Sequence, residues 1–142
     1  MAFQWFKHPI TADLRDVGIY DLVMTRYFIS FNDGDMTFPR EEMAAVGAAA
    51  HAVLAEAVEA GVWVFGGGFE GYSPRVVTSE NKVSEGPLIA TNAHIGGFAI
   101  IDVENGEQAN YWAAKIAKSC RCSQEVRKIM DDPIQDSLLQ GN

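Results

Sequence analysis

The sequence predicts an α+β fold of the ferredoxin-like kind, βαββαβ, in which an antiparallel sheet carries both helices on one face. Three observations point there. Strand-like and helix-like segments alternate in that order, each of two helical segments is apolar along one side only, and residues 94–103, "HIGGFAIIDV", form a near-continuous apolar run that reads as a central strand.

The first strand is expected at residues 24–31, "MTRYFISF", where aromatic and β-favouring residues are dense, and the turn "NDGD" ends it. Pro39 opens the helix "PREEMAAVGAAAHAVLAEAVEAG", with acids in its first turn and Gly61 as its stop. Met43, Val46, Ala50, Val53, Leu54, Ala57 and Val58 recur at helical spacing, opposite Glu41, Glu56 and Glu59. Residues 62–70, "VWVFGGGFE", read as a second strand, its glycines allowing a bulge or a close backbone approach. "PRVVTSENKVSEG" reads as a short hairpin around Glu80, Asn81 and Lys82.

After the central strand, "NGEQANYWAAKIAKS" is the second helix, with Asn105 as cap and Gln108 three residues on. Its stripe is Ala109, Trp112, Ala113 and Ile116. A last strand is expected at residues 123–130, and "DDPIQDSLLQGN" is a tail. The chain thus divides into an N-terminal extension (1–23), a domain (24–130) and a C-terminal tail (131–142). In the extension, Phe3, Trp5 and Phe6 are costly to leave in water and are expected to dock on the body or on a second subunit. Helices on one sheet face leave the other face as bare apolar surface, and a second copy covers it most simply; a homodimer is expected.

At 142 residues the chain holds one proper core. Its formal net charge of −8 argues against a nucleic-acid partner, which needs clustered Lys and Arg, and against an anionic membrane surface. No apolar run approaches bilayer length, and the opening residues lack a signal-peptide core. Cys120 and Cys122 read as reduced thiols on a strand, so a cytoplasmic setting is expected.

The segments from about Met24 to Met130 resemble the YCII-related proteins, in particular the branch named for its "DGPF" motif. The shared pieces, in order, are "PREEM" at the helix start, "EAGVWV" entering strand two, "SEGPLIATNAHIGGFAIIDV", "EQANYWAAKIAK" and "QEVRKI". Departures are Glu85 where the motif has Asp, Leu88 where it has Phe, Thr91, Asn92 and Ala93 where an acidic and basic pair follows, and Lys128 where Pro is usual. The resemblance implies a dimeric α+β barrel with a cleft bounded by the first helix. It also implies, for some members, lyase chemistry on chlorinated muconate-type compounds through a histidine and an acid.

His51 matches the family's helix-borne histidine. By helical geometry it lies at the edge of the apolar stripe, where it either points into a cleft between helix and sheet or is a half-buried histidine satisfied by a carbonyl. Glu85 holds the family's acidic position beside Gly86 and Pro87; it either orients the imidazole or is a solvated turn carboxylate. Asn92 and His94 offer hydrogen bonds to a carboxylate or enolate, and Arg26, Arg75 and Arg127 on strands offer bidentate contacts to an anion. His51, His94 and Glu85 have no close spacing that would make them a metal site, so neither a metal nor another cofactor is expected.

Two functions fit these residues. One is a lyase or isomerase acting on a small molecule, with His51 as base, Glu85 orienting it, and Arg26 or Arg75 holding a carboxylate. The other is a non-catalytic dimer that binds a small ligand or a protein partner.

Overall fold

In the computed structural model, residues 24–90 and 93–141 are described. The expectations for the N-terminal extension and for Asn92 fall outside them.

Alternation along two strands builds the centre. In β1 (Thr25–Asn32) every second residue, Tyr27, Ile29 and Phe31, faces one side, and in β5 (Ile95–Val103) Gly97, Ala99, Ile101 and Val103 do the same. The two strands run antiparallel with Ile29 opposite Ala99 and Tyr27 opposite Ile101, so these side chains form one continuous apolar surface. Ile29 and Ile101 are fully buried. β2 (Trp63–Gly68) adds to the other edge of β5, with a register break between Trp63 and Phe65, and β6 (Glu125–Lys128) adds to β1 with Val126 opposite Ile29. The antiparallel sheet has the order β2-β5-β1-β6.

Two helices cover the apolar side. A 3-10 turn at Arg40–Glu42 leads into α1 (Met43–Glu59), so the regular helix begins at Met43 rather than at Pro39. Its end matches the expectation: the Val62 N–H donates to the Ala57 carbonyl and the Gly61 N–H to the Val58 carbonyl, the pattern that closes a helix on a glycine. α2 (Gly106–Cys120) starts on Asn105, whose side chain accepts from the Gln108 N–H at 3.0 Å. Ala109, Trp112 and Ala113 join Ile29, Ala99, Ile101 and Val103 in the core. Lys115 and Glu56, 2.9 Å apart, tie the helices together at the surface.

The stripe on α1 is covered less than its periodicity implies. Only Val46 and Ala57 are buried, Met43 and Val58 are exposed, and Ala50, Val53 and Leu54 are half-buried because they border a cavity.

Other differences are local. β3 (Arg75–Val77) and β4 (Val83–Glu85) form the expected hairpin, but as a separate two-stranded ribbon. Cys120 is the last residue of α2, and Cys122 follows the left-handed Arg121 in the turn, so the two thiols are not on a strand; both are free. The tail contains a helix, α3 (Pro133–Leu139), started by Asp132 accepting from the Gln135 N–H and by Pro133 in the first turn. One chain closes no barrel: the sheet is open, with β2 and β6 at its edges. No helix among the described residues is long and apolar enough to cross a membrane.

Candidate functional site

Between α1, the C-terminal end of α2 and the edge strand β2 lies a cavity of about 350 Å³. Two aromatic side chains make its sheet-side wall, and glycine makes room for each. A Cβ on Gly97 would stand 2.5 Å from Phe31 Cε1, so the Phe31 ring occupies the space that any larger residue there would claim. A Cβ on Gly66 would stand 2.9 Å from the Trp63 ring and 2.6 Å from the Phe98 carbonyl oxygen. Gly66, one of the glycines expected to allow a bulge or a close backbone approach, thus lets the Trp63 ring rest on bare backbone, and Gly97 of the central strand does the same for Phe31. Val53 and Leu54 of α1 and Ile116 of α2 complete an apolar lining.

Four polar side chains reach that lining: His51, Ser119, Cys120 and Gln124. Ser119 donates to the Ile116 carbonyl at 2.9 Å, and the Gln124 amide donates to the Cys122 carbonyl at 3.2 Å. His51 makes no hydrogen bond or ion pair within the described residues. Among the described residues no carboxylate lines the cavity. Just outside it, burial pushes the Cys122 thiol above its ordinary range; Cys120 and Asp35 add to the shift, and Gln124 opposes it.

Of the residues singled out in the sequence, His51 is the one at this cavity. Glu85 is exposed on β4, where its backbone pairs with Arg75 of β3, and no hydrogen bond or ion pair among the described residues links it to His51 or His94. Arg26 projects from the sheet face opposite the helices, where Asp102 holds it at both ends: Nε to Oδ1 at 2.7 Å and Nη2 to Oδ2 at 2.8 Å. That hydrogen bond raises the guanidinium pKa above its ordinary value against the cost of desolvation.

His94, at the start of β5, stacks on Tyr72 with ring centroids 3.5 Å apart. Its Nδ1 is buried without a hydrogen bond and lies 4.0 Å from Asp33 Oδ2, beyond direct bonding range. Arg75 is exposed and Arg127 faces away from the helices, opposite Phe28. Among the described residues no cluster of three or more His, Cys, Asp or Glu is placed to hold a metal ion.

Sequence reasoning missed Asp102, Ser119, Gln124 and the ring-on-glycine contacts. Asp102 becomes legible only with the register that sets it beside Arg26. The position of Gln124 depends on the turn after α2, where Arg121 adopts a left-handed conformation that little in the sequence announces.

No curated protein matches this sequence. The family model of the YCII-related domain matches residues 25–131, from the first residue of β1 past the end of β6. The cavity, its histidine and the sheet beneath them all fall inside that span, and the chain belongs to the YCII-related family.

Proposed function

We propose that this YCII-related protein is a homodimer that receives a small, mostly apolar molecule in the cavity beside α1, with His51 as its main polar contact. The observation that carries the proposal is an imidazole with no partner among the described residues, on an apolar cavity of about 350 Å³, within the usual size range of ligand sites. The strand order β2-β5-β1-β6, with helices linking β1 to β2 and β5 to β6, is that of a ferredoxin-like sandwich with one sheet face left bare. On that face Phe98 is stacked on Phe28 and touched by Phe65 and Phe69, which are 63% and 58% exposed. A second copy covering this face supports the dimer and the two-chain barrel. Two free thiols fit a cytoplasmic setting.

A catalytic version of the reading gives His51 the role of proton acceptor in a lyase or isomerase, supported by the same uncommitted ring. The binding version has the firmer support, because Glu85, the acid expected to orient that ring, stands on the separate ribbon.

A thermal-shift panel of small apolar compounds tests the cavity. A ligand at a hundred times its Kd adds about 2.7 kcal/mol of stability, enough to move the midpoint by several degrees. The shift is expected to vanish in Leu54→Trp, which fills the cavity; an undiminished shift would sink the reading. For the dimer, sedimentation at micromolar concentration is expected to give two chains for the wild type and one for Phe65→Asp.

A further inference from the structure

The chain has 19 acidic residues against 11 Lys and Arg, yet among the described residues no acid lines the cavity. The polar atoms there are also unequal. The Ser119 hydroxyl proton and one Gln124 amide proton are engaged by neighbouring carbonyls, whereas the His51 ring has no partner within the described residues. A charged head leaving water needs an opposite charge or a strong donor, and is repelled by a like charge nearby. Among the described residues an anion finds the His51 donor and no repelling carboxylate; a cation finds no carboxylate, and only neutral acceptors such as Ser119 Oγ and aromatic faces to replace one.

Resting on the binding reading above, we infer that the cavity selects a compact apolar molecule with one anionic head, that His51 takes the head, and that Gly97 sets the room for the apolar body. A second anionic head finds no second histidine and no Lys or Arg among the described lining residues. The body is limited to on the order of a dozen to fifteen non-hydrogen atoms at interior packing density. Gly97 controls that limit through Phe31. An alanine there forces the ring away from the sheet by about 1 Å to reach ordinary contact, and Phe31 is part of the cavity lining, so the displaced ring takes up cavity space.

The net charge of −8 sharpens the test, because the field of the whole protein favours cations. An anion preference must therefore arise locally. The probes are 2-naphthoate, its neutral amide, (2-naphthylmethyl)ammonium, naphthalene-2,6-dicarboxylate and the smaller benzoate, titrated calorimetrically into the full chain at low salt.

The expected result is 2-naphthoate binding at least tenfold tighter than the ammonium probe and the dicarboxylate. That preference is expected to shrink to within about twofold in His51→Ala, an exposed helical position where alanine is well tolerated. Gly97→Ala is expected to weaken naphthoate at least fivefold while sparing benzoate. Should Gly97→Ala fail to fold, Val53→Phe narrows the same cavity from the helix side and must give the same size selection. If all heads bind alike, or the ammonium probe binds tightest, and Leu54→Trp abolishes binding, the anion inference falls while the cavity reading stands. If no probe binds, or Leu54→Trp changes nothing, both fall.

Discussion

The two faces of one sheet make the instructive contrast in this molecule. Both are built from the same strands, residue by residue in alternation. On the helix side Ile29, Ala99, Ile101 and Val103 are buried under α1 and α2, and the small residues at Gly66 and Gly97 let Trp63 and Phe31 lie low enough to leave a cavity. On the bare side the aromatic rings gather around Phe98, and the ion pair of Arg26 with Asp102 is matched at both of its ends. One face has its partner inside the chain and leaves a cavity beside it, the site proposed for a ligand. The other face is finished within itself except for its outermost apolar surface. An apolar residue's role here follows from which face it occupies more than from its type.

The largest expected effect tests that contrast directly. Ile29→Ala, on the covered face, removes a fully buried side chain and is expected to cost about 3–4 kcal/mol. Phe65→Ala, on the bare face, is expected to cost under about 1 kcal/mol in a dilute monomer, since its ring is already mostly in water. Urea unfolding at low protein concentration compares the two, and equal losses would erase the distinction between the faces.

A middle effect concerns the ion pair. Arg26→Ala leaves the Asp102 carboxylate, 7% exposed as a residue, without its partner, and is expected to cost about 1–3 kcal/mol. Replacing both residues, Arg26→Met with Asp102→Leu, is expected to restore most of that loss, because an apolar pair leaves no stranded charge. A double-mutant cycle in urea measures both; no recovery would mean that the pair adds more than mutual neutralisation.

The smallest effect lies at the turn behind the cavity. Since burial raises the Cys122 pKa, its thiol ionises later in the folded chain than in the unfolded one. Stability is therefore unaffected well below the ordinary thiol range and declines as pH rises through it, where the unfolded state loses its proton first. Cys122→Ser is expected to remove this component of the decline, seen by comparing urea midpoints at neutral and mildly alkaline pH. Alkylation of Cys122 is also expected to be slower than that of a free thiol at the same pH, and an equal rate would show that burial has not shifted it.

Much of the fold was legible because its signals are local. The Asn105 cap, the Gly61 stop, the alternation in β1 and β5 and the hairpin around Asn81 each depend on residues a few positions apart, and all stand where the sequence places them. The resemblance to the YCII-related family rested on short motifs in a fixed order, and the matching family model covers the same stretch. The candidate site was legible only through His51, whose place at the border of a helical stripe is a matter of periodicity. Glu85 drew attention through its place in the family's motif, as the acid to orient His51, but the ribbon carrying it is separate from the main sheet on which α1 packs. A short motif says little about which distant side chain its residues will meet. Arg26 read as a free cation because its partner is far away along the chain, at Asp102.

By itself, the sequence determined which segments are strands and helices, which side of each is apolar, and the family, since those properties reside in spacing and local order. Tertiary structure alone decided that Phe31 and Trp63 would rest on glycine backbone, that Arg26 would be neutralised by Asp102, and that His51 would border a cavity whose described lining holds no acid. Each of these is a contact across strands or layers, governed by register and packing, and neither is written in any single stretch of the chain.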